Sequence, residues 1–343
     1  MPTFDKEFAR LLLEICRFTY ASAFDGDPEA GPANAKAKQE AQNWIDANHP
    51  GGTLIMVPSP TDRTSVACIA SYPDKNIVSY MGTMTEFTAP TGLAGAKDDL
   101  ESLLDWAENL RLELVPFSLT GAEIGPGCSD IADIGGRVHK GFHEQLRTVQ
   151  GAVVARLLEL NGMTLPLFVT GHSQGGAEAA LATKAFLVGG FNVAATYTFA
   201  APRPGEADFA ASIPAAQPFH RIEYGNDIVP HVPPKVISAT VRAAIALVLK
   251  FPLLSDSWRR GLQLLASSDG KVVYTGAGRL CYSSSETVPL SVDLSAAEED
   301  ALFDQRLRRL LEHPGNWADH HHLAGTTAEV AAGQRGNYSA LVS

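Results

Sequence analysis

Ser173 stands at the centre of Gly171-His172-Ser173-Gln174-Gly175, between the apolar run Leu165–Thr170 and the alanine-rich stretch Gly176–Leu187. Strand, sharp turn and helix in that order lift a hydroxyl above a sheet, and the flanking glycines let the turn close. A serine so held attacks an acyl carbon once a base takes its proton and a carboxylate fixes the tautomer of that base. The following helix aims its first amides at the anion that forms. The backbone N–H of Gln174, directly after the nucleophile, is therefore an expected oxyanion donor.

The acid and the base should follow, each on a loop after a later strand. Phe219–Tyr224 reads as a strand that opens into Gly225-Asn226-Asp227-Ile228-Val229-Pro230, which sets Asp227 just past a strand's carboxyl end. His231, His313, His320, His321 and His322 lie beyond it. His231 shares a short proline-rich loop with the acid, and His313 ends a helix, so the tract Asp319-His320-His321-His322 is left to supply the base. A histidine tract also suits a metal ion, but no H-E-x-x-H spacing occurs, and neither a metal nor a cofactor is expected. His139 and His172 read as structural.

These arms need a scaffold. Phe4, Phe8, Leu11, Leu12, Ile15 and Phe18 form a helical stripe near the N-terminus, unlike a leader peptide. A polar-faced helix follows at Asn34–Asn48. Strand-like runs come at Thr53–Val57, Ser65–Ala70, Asn76–Tyr80, Leu110–Val115 and Ala194–Phe199, and a helix at Phe142–Leu160. Lys271–Tyr274 and Arg279–Tyr282 look like a hairpin. Ser295–His313 is a helix with a Ser295/Glu298 capping box and Pro314-Gly315 as its stop. Alternating strands and helices predict an α/β fold, a largely parallel sheet covered on both faces.

The 343 residues carry a formal net charge of −11, which argues against nucleic acid as a partner. Cys16, Cys68 and Cys281 lie in apolar stretches and read as core thiols, whereas Cys128 is loop-like. No run is apolar enough to span a bilayer. Repeats and low-complexity linkers are absent, so residues 1–343 read as one domain.

Gly171–Gly175, Phe199-Ala200-Ala201-Pro202-Arg203-Pro204-Gly205 and Gly225–Pro230 together resemble the fungal-type (class 3) lipases. Val138-His139-Lys140-Gly141-Phe142 is similar to that family's H-x-G-F segment, and Ile77–Thr83 to its strand ending in F-R-G-T/S, with Met81 where arginine is usual. The resemblance runs from about Thr53 to His322. It implies an α/β-hydrolase fold with a lid-like insertion, no cofactor, and hydrolysis of lipid esters, triacylglycerols first, at an oil–water interface. Phospholipase A1, short-chain or feruloyl esterase, and a lipid-binding relative without activity are the alternatives. It also implies Thr83 as the second oxyanion donor and His320 as the base, with His322 in reserve. Met84–Leu104 falls where these lipases place their lid, and the apolar insertion at residues 235–260 is expected to wall the acyl pocket.

Overall fold

The N-terminal stripe becomes helix α1 (Lys6–Ala21), whose Leu11, Leu12, Ile15 and Phe18 are all buried. Helix α2 (Gly31–Asn48) adds Ala41 and Ile45 to the same cluster. The structure is a computed structural model. It describes residues 4–21, 31–60, 66–82, 113–128, 132–233, 274–284 and 294–312, with short runs and single positions at 235, 242, 246, 249–250, 259, 263, 290–292, 321 and 338. Met84–Leu104 lies outside the described residues, and of residues 235–260 only isolated positions are described.

Eight strands form the main sheet. In chain order they are β1 (Thr53–Pro58), β2 (Val66–Ser71), β3 (Asn76–Tyr80), then β6 (Leu167–His172), β7 (Val193–Phe199), β9 (Phe219–Tyr224), β11 (Arg279–Ser283) and β12 (Ser291–Val292). Neighbours in space follow that same order. The five strands from β3 to β11 run parallel, with antiparallel β1 and β2 at one edge and β12 at the other. Both faces are covered, which is why the central strands are buried along almost their whole length. On β2, Cys68 and Ala70 face α1, whereas Ala67 and Ile69 join the opposite core. That core is completed by Phe142, Leu146, Val149 and Val153 of helix α4 (Lys140–Glu159) and by Ala177, Leu181 and Ala185 of helix α5 (Gln174–Val188).

A second sheet of four strands joins β4 (Leu114–Leu119), β5 (Ala132–His139), β8 (Gly205–Glu206) and β10 (Tyr274–Thr275) in the order β10-β8-β5-β4. The expected strand at Leu110–Val115 lies further along, as edge strand β4, whose bulge next to Pro116 suits an edge. Strand β5 carries Gly135 and Gly136 with φ of +95° and +84°, and this break hides it from a period-two reading. A short helix α3 (Gly121–Ile124) lies between β4 and β5, and α6 (Ala207–Ser212) follows β8.

Among the described residues, the two arms of the expected hairpin do not pair with each other. Tyr274–Thr275 pairs with β8 in the small sheet, whereas Arg279–Ser283 pairs with β9 and β12 in the large one. The chain crosses between sheets over Arg221, where a Cβ on Gly276 would come within 2.6 Å of that side chain. Helix α7 (Ala296–Glu312) bears the expected capping box. Its Ser295 Oγ accepts from the Glu298 N–H, and the Glu298 carboxylate accepts from the Ser295 N–H at 2.7 Å.

Candidate active site

Strand β6 ends at His172, and Ser173 then turns the chain into α5. Its backbone sits at φ 55°, ψ −132°, a strained conformation for a residue with a side chain. Packing forces the strain. A Cβ on Gly171 would lie 2.1 Å from the Gly175 carbonyl, and one on Gly175 would lie 2.1 Å from the Tyr80 carbonyl, so only glycines allow helix and strands to approach this closely. The Ser173 N–H donates to Phe199 O at 2.9 Å and its carbonyl accepts from Gly176 N–H at 2.8 Å, which fixes the turn from both ends.

The second arm is the turn after β9. Asp227 Oδ1 accepts the Val229 N–H at 3.0 Å, an Asx-type turn that holds the carboxylate still. Gly225 is tied from three sides: its N–H donates to Ser283 O (2.8 Å), and its carbonyl accepts Arg306 Nε–H (3.0 Å) and the Tyr282 hydroxyl (3.4 Å).

The third arm is His321. Its Nδ1 lies 3.0 and 3.1 Å from the two Asp227 oxygens, and its Nε2 lies 3.0 Å from Ser173 Oγ. The carboxylate only accepts, so the proton sits on Nδ1 and Nε2 is free to accept from the serine. All three residues are buried. This corrects the expected register: the imidazole between serine and aspartate belongs to His321, one position after His320 and one before the reserve His322, both of which lie outside the described residues. Local sequence carries no register among three consecutive histidines. Only the path of the chain selects one.

Burial pushes the Asp227 carboxyl up, but the neighbouring His321, the Arg306 guanidinium and the Tyr338 hydroxyl outweigh it, and the group sits below the usual carboxylate range. His172 contributes through its ring. Its Nε2 lies 2.8 Å from the His321 carbonyl, which only accepts, so the proton is on Nε2 and Nδ1 accepts from the Tyr20 hydroxyl at 3.1 Å. The structural reading of His172 thus gains content: it grips the backbone of the residue bearing the imidazole. His139 caps α4 by accepting the Phe142 N–H on Nδ1.

Gln174 heads α5, and its side chain folds back to donate to Glu178 at 2.9 Å. Thr83 lies outside the described residues. Gly82 before it is packed tightly, since a Cβ there would meet the Tyr20 hydroxyl at 2.1 Å and the His172 carbonyl at 2.7 Å.

Beneath the Asp227 turn lies a charged cluster that sequence reading missed. Arg203, Arg221 and Arg306 are buried with Glu223 and His231. Glu223 pairs with Arg221 and, at 2.5 Å, with Arg306, and Glu299 of α7 reaches Arg221 at 3.1 Å. Arg203 Nη2 donates to His231 Nδ1 at 3.1 Å. Burial and the three guanidiniums push the His231 imidazole well down, so it stays neutral. One signal was available: Arg306 follows Leu302 by four positions on α7, a charge on an apolar stripe.

Among the described residues no group of three or more His, Cys, Asp or Glu side chains is arranged to hold a metal ion, and no helix is long and apolar enough to cross a membrane. The mostly parallel sheet with a strained serine at a strand–turn–helix elbow defines an α/β-hydrolase fold. The solved lipase of Rhizopus microsporus var. chinensis is similar in fold, with a TM-score of 0.52 and 17% identity over 89% of this chain and 88% of that one. Residues 98–237 match the family model for lipase (class 3). A secreted mono- and diacylglycerol lipase of Fusarium solani is 31% identical over 162 residues, 46% of this chain and 46% of that protein. A lipase of Rhizomucor miehei is 35% identical over 107 residues, 29% of this chain and 30% of that protein. The likeness to class 3 lipases thus rests on residues 98–237, and the chain spans less than half the length of these curated relatives.

Proposed function

We propose that this chain hydrolyses carboxylic esters of lipids, acylglycerols first among them, through an acyl-enzyme on Ser173. The observation that carries this is the unbroken hydrogen-bonded series Ser173 Oγ, His321 Nε2, His321 Nδ1, Asp227. In this reading His321 takes the serine proton as Oγ attacks the ester carbonyl. Asp227 holds the imidazole in its tautomer and stabilises the imidazolium. The proton then passes to the leaving alcohol, and water attacks the acyl-enzyme with His321 again as base to release the fatty acid. The oxyanion is held by the backbone N–H of Gln174 at the head of α5 and by Thr83, for which the close packing of Gly82 on the elbow is the support. The name of the Fusarium solani relative, a mono- and diacylglycerol lipase, favours acylglycerols as substrates.

Met84–Leu104 acts as the lid in this proposal, residues 235–260 line the acyl pocket, and the whole chain works as one domain. An assay on a p-nitrophenyl ester and on an emulsified triacylglycerol tests the reading. Wild type turns over both, and Ser173→Ala loses about 10⁴-fold or more in kcat with its fold unchanged. Near wild-type turnover in Ser173→Ala overturns it. Turnover of soluble esters alone moves the assignment to an esterase, and a protein that binds lipid without hydrolysing either substrate is the non-enzymatic alternative.

A further inference from the structure

The carboxylate of Asp227 has a partner outside the three arms. The Tyr338 hydroxyl lies 2.7 Å from Asp227 Oδ2 and accepts the Tyr224 N–H at 3.2 Å. A carboxylate only accepts, so the hydroxyl hydrogen points at Oδ2. Tyr338 is completely buried. Its ring packs edge-on against His172 and Phe199 and meets Tyr224, with centroids 6.0, 6.4 and 6.1 Å away. The residue thus arrives from the C-terminal end of the chain to sit between the elbow strand and the acid strand.

Counting donors shows what the hydroxyl adds. Val229 N–H satisfies Oδ1, and His321 Nδ1–H is shared between both oxygens. Oδ2 has one undivided donor among the described residues, and that is Tyr338. We infer that Tyr338 is a positioning residue of this site: its hydroxyl fixes the rotation of the Asp227 carboxylate, and so the plane in which His321 is held towards Ser173. The inference rests on the ester-hydrolase reading above.

Charge follows from geometry. The groups facing the Tyr338 hydroxyl are Asp227, Arg306 and Glu223, with His172 and His321 alongside. Burial, then the Asp227 charge, hold the phenol well above its usual range, so it donates at any working pH. A donor on Oδ2 takes up part of the carboxylate's charge, which is then less available to His321. Remove it, and the carboxylate holds an imidazolium more tightly while orienting the ring less well.

The test is Tyr338→Phe, which keeps the ring and deletes the bond. A hydrogen bond to a charged group is worth enough that kcat/KM on a soluble ester should fall roughly ten- to a hundred-fold. The acidic limb of the kcat/KM profile should move to higher pH by about half a unit to one unit, because a better-held imidazolium keeps its proton longer. The downfield proton resonance of His321 Nδ1–H, assigned by its loss in His321→Gln, should shift in the same variant. A second variant with 3-fluorotyrosine at position 338 makes the phenol a stronger donor and should move the acidic limb the opposite way.

A folded Tyr338→Phe protein with wild-type kcat/KM, limb and resonance overturns the inference. So does one that loses only melting temperature and rate, with limb and resonance unmoved, since packing alone would do that. If wild type hydrolyses no ester, the function reading fails, and the resonance still decides the role of Tyr338.

Discussion

The serine side of the site and the acid side are built on opposite principles. Around Ser173 the constraint is steric: glycines at 171 and 175 sit where a single methyl group would collide with backbone carbonyls, and main-chain bonds hold a strained turn. Around Asp227 the constraint is electrostatic: three buried arginines and Glu223 fasten the turn to α7. Each side also buries a glutamate, in contrasting company. Glu178 of α5 has an amide partner, Gln174, and burial pushes its carboxyl up to about 8. Glu223 lies between two guanidiniums. A steric clamp needs only small residues close in sequence, whereas a charge clamp needs opposite charges brought together from β9, the loop after β7 and α7.

The largest expected effect lies in the histidine arm. His321→Ala should reduce kcat by about 10⁴-fold, as Ser173→Ala does, whereas His320→Ala and His322→Ala should stay within a few-fold of wild type. Steady-state assays on one soluble ester check all three, and full loss in His320→Ala alone would restore the register expected from sequence.

A smaller effect separates the two clamps. Arg306→Met leaves Glu223 with Arg221 as its one guanidinium partner and takes the Arg306 hydrogen bond from the Gly225 carbonyl, and breaking a buried pair costs about 3–5 kcal/mol. Chemical denaturation should show that loss, and the double variant Arg306→Met/Glu223→Gln should recover part of it. If the single variant is as stable as wild type, the cluster does not hold the acid turn.

The gentlest probe is pH. Glu178 has a folded-state value raised above its unfolded one, so its contribution is fully favourable below about pH 4.5 and is lost as pH rises to about 8. Within that window wild type should lose about 1.4 kcal/mol of stability per pH unit relative to Glu178→Gln, with no further divergence above it. Parallel stability curves for the two proteins from pH 5 to 8 would refute a buried, proton-retaining Glu178.

Sequence alone determined whatever depends on neighbours in the chain. The elbow at Ser173 was legible because strand, glycines and helix are contiguous, and Asp227 because a turn directly follows a strand. The capping box of α7 and the apolar stripe of α1 were legible for the same reason. The mostly parallel sheet followed from alternating elements. Tertiary structure decided the rest. It chose His321 within a tract of identical side chains and sent Tyr274–Thr275 and Arg279–Ser283 to different sheets. It also brought Tyr20 and Tyr338, from opposite ends of the chain, to His172 and Asp227. None of these has a local signal, because a hydrogen bond between residues far apart in the chain is specified by how the sheet and its helices pack, not by the residues beside each partner.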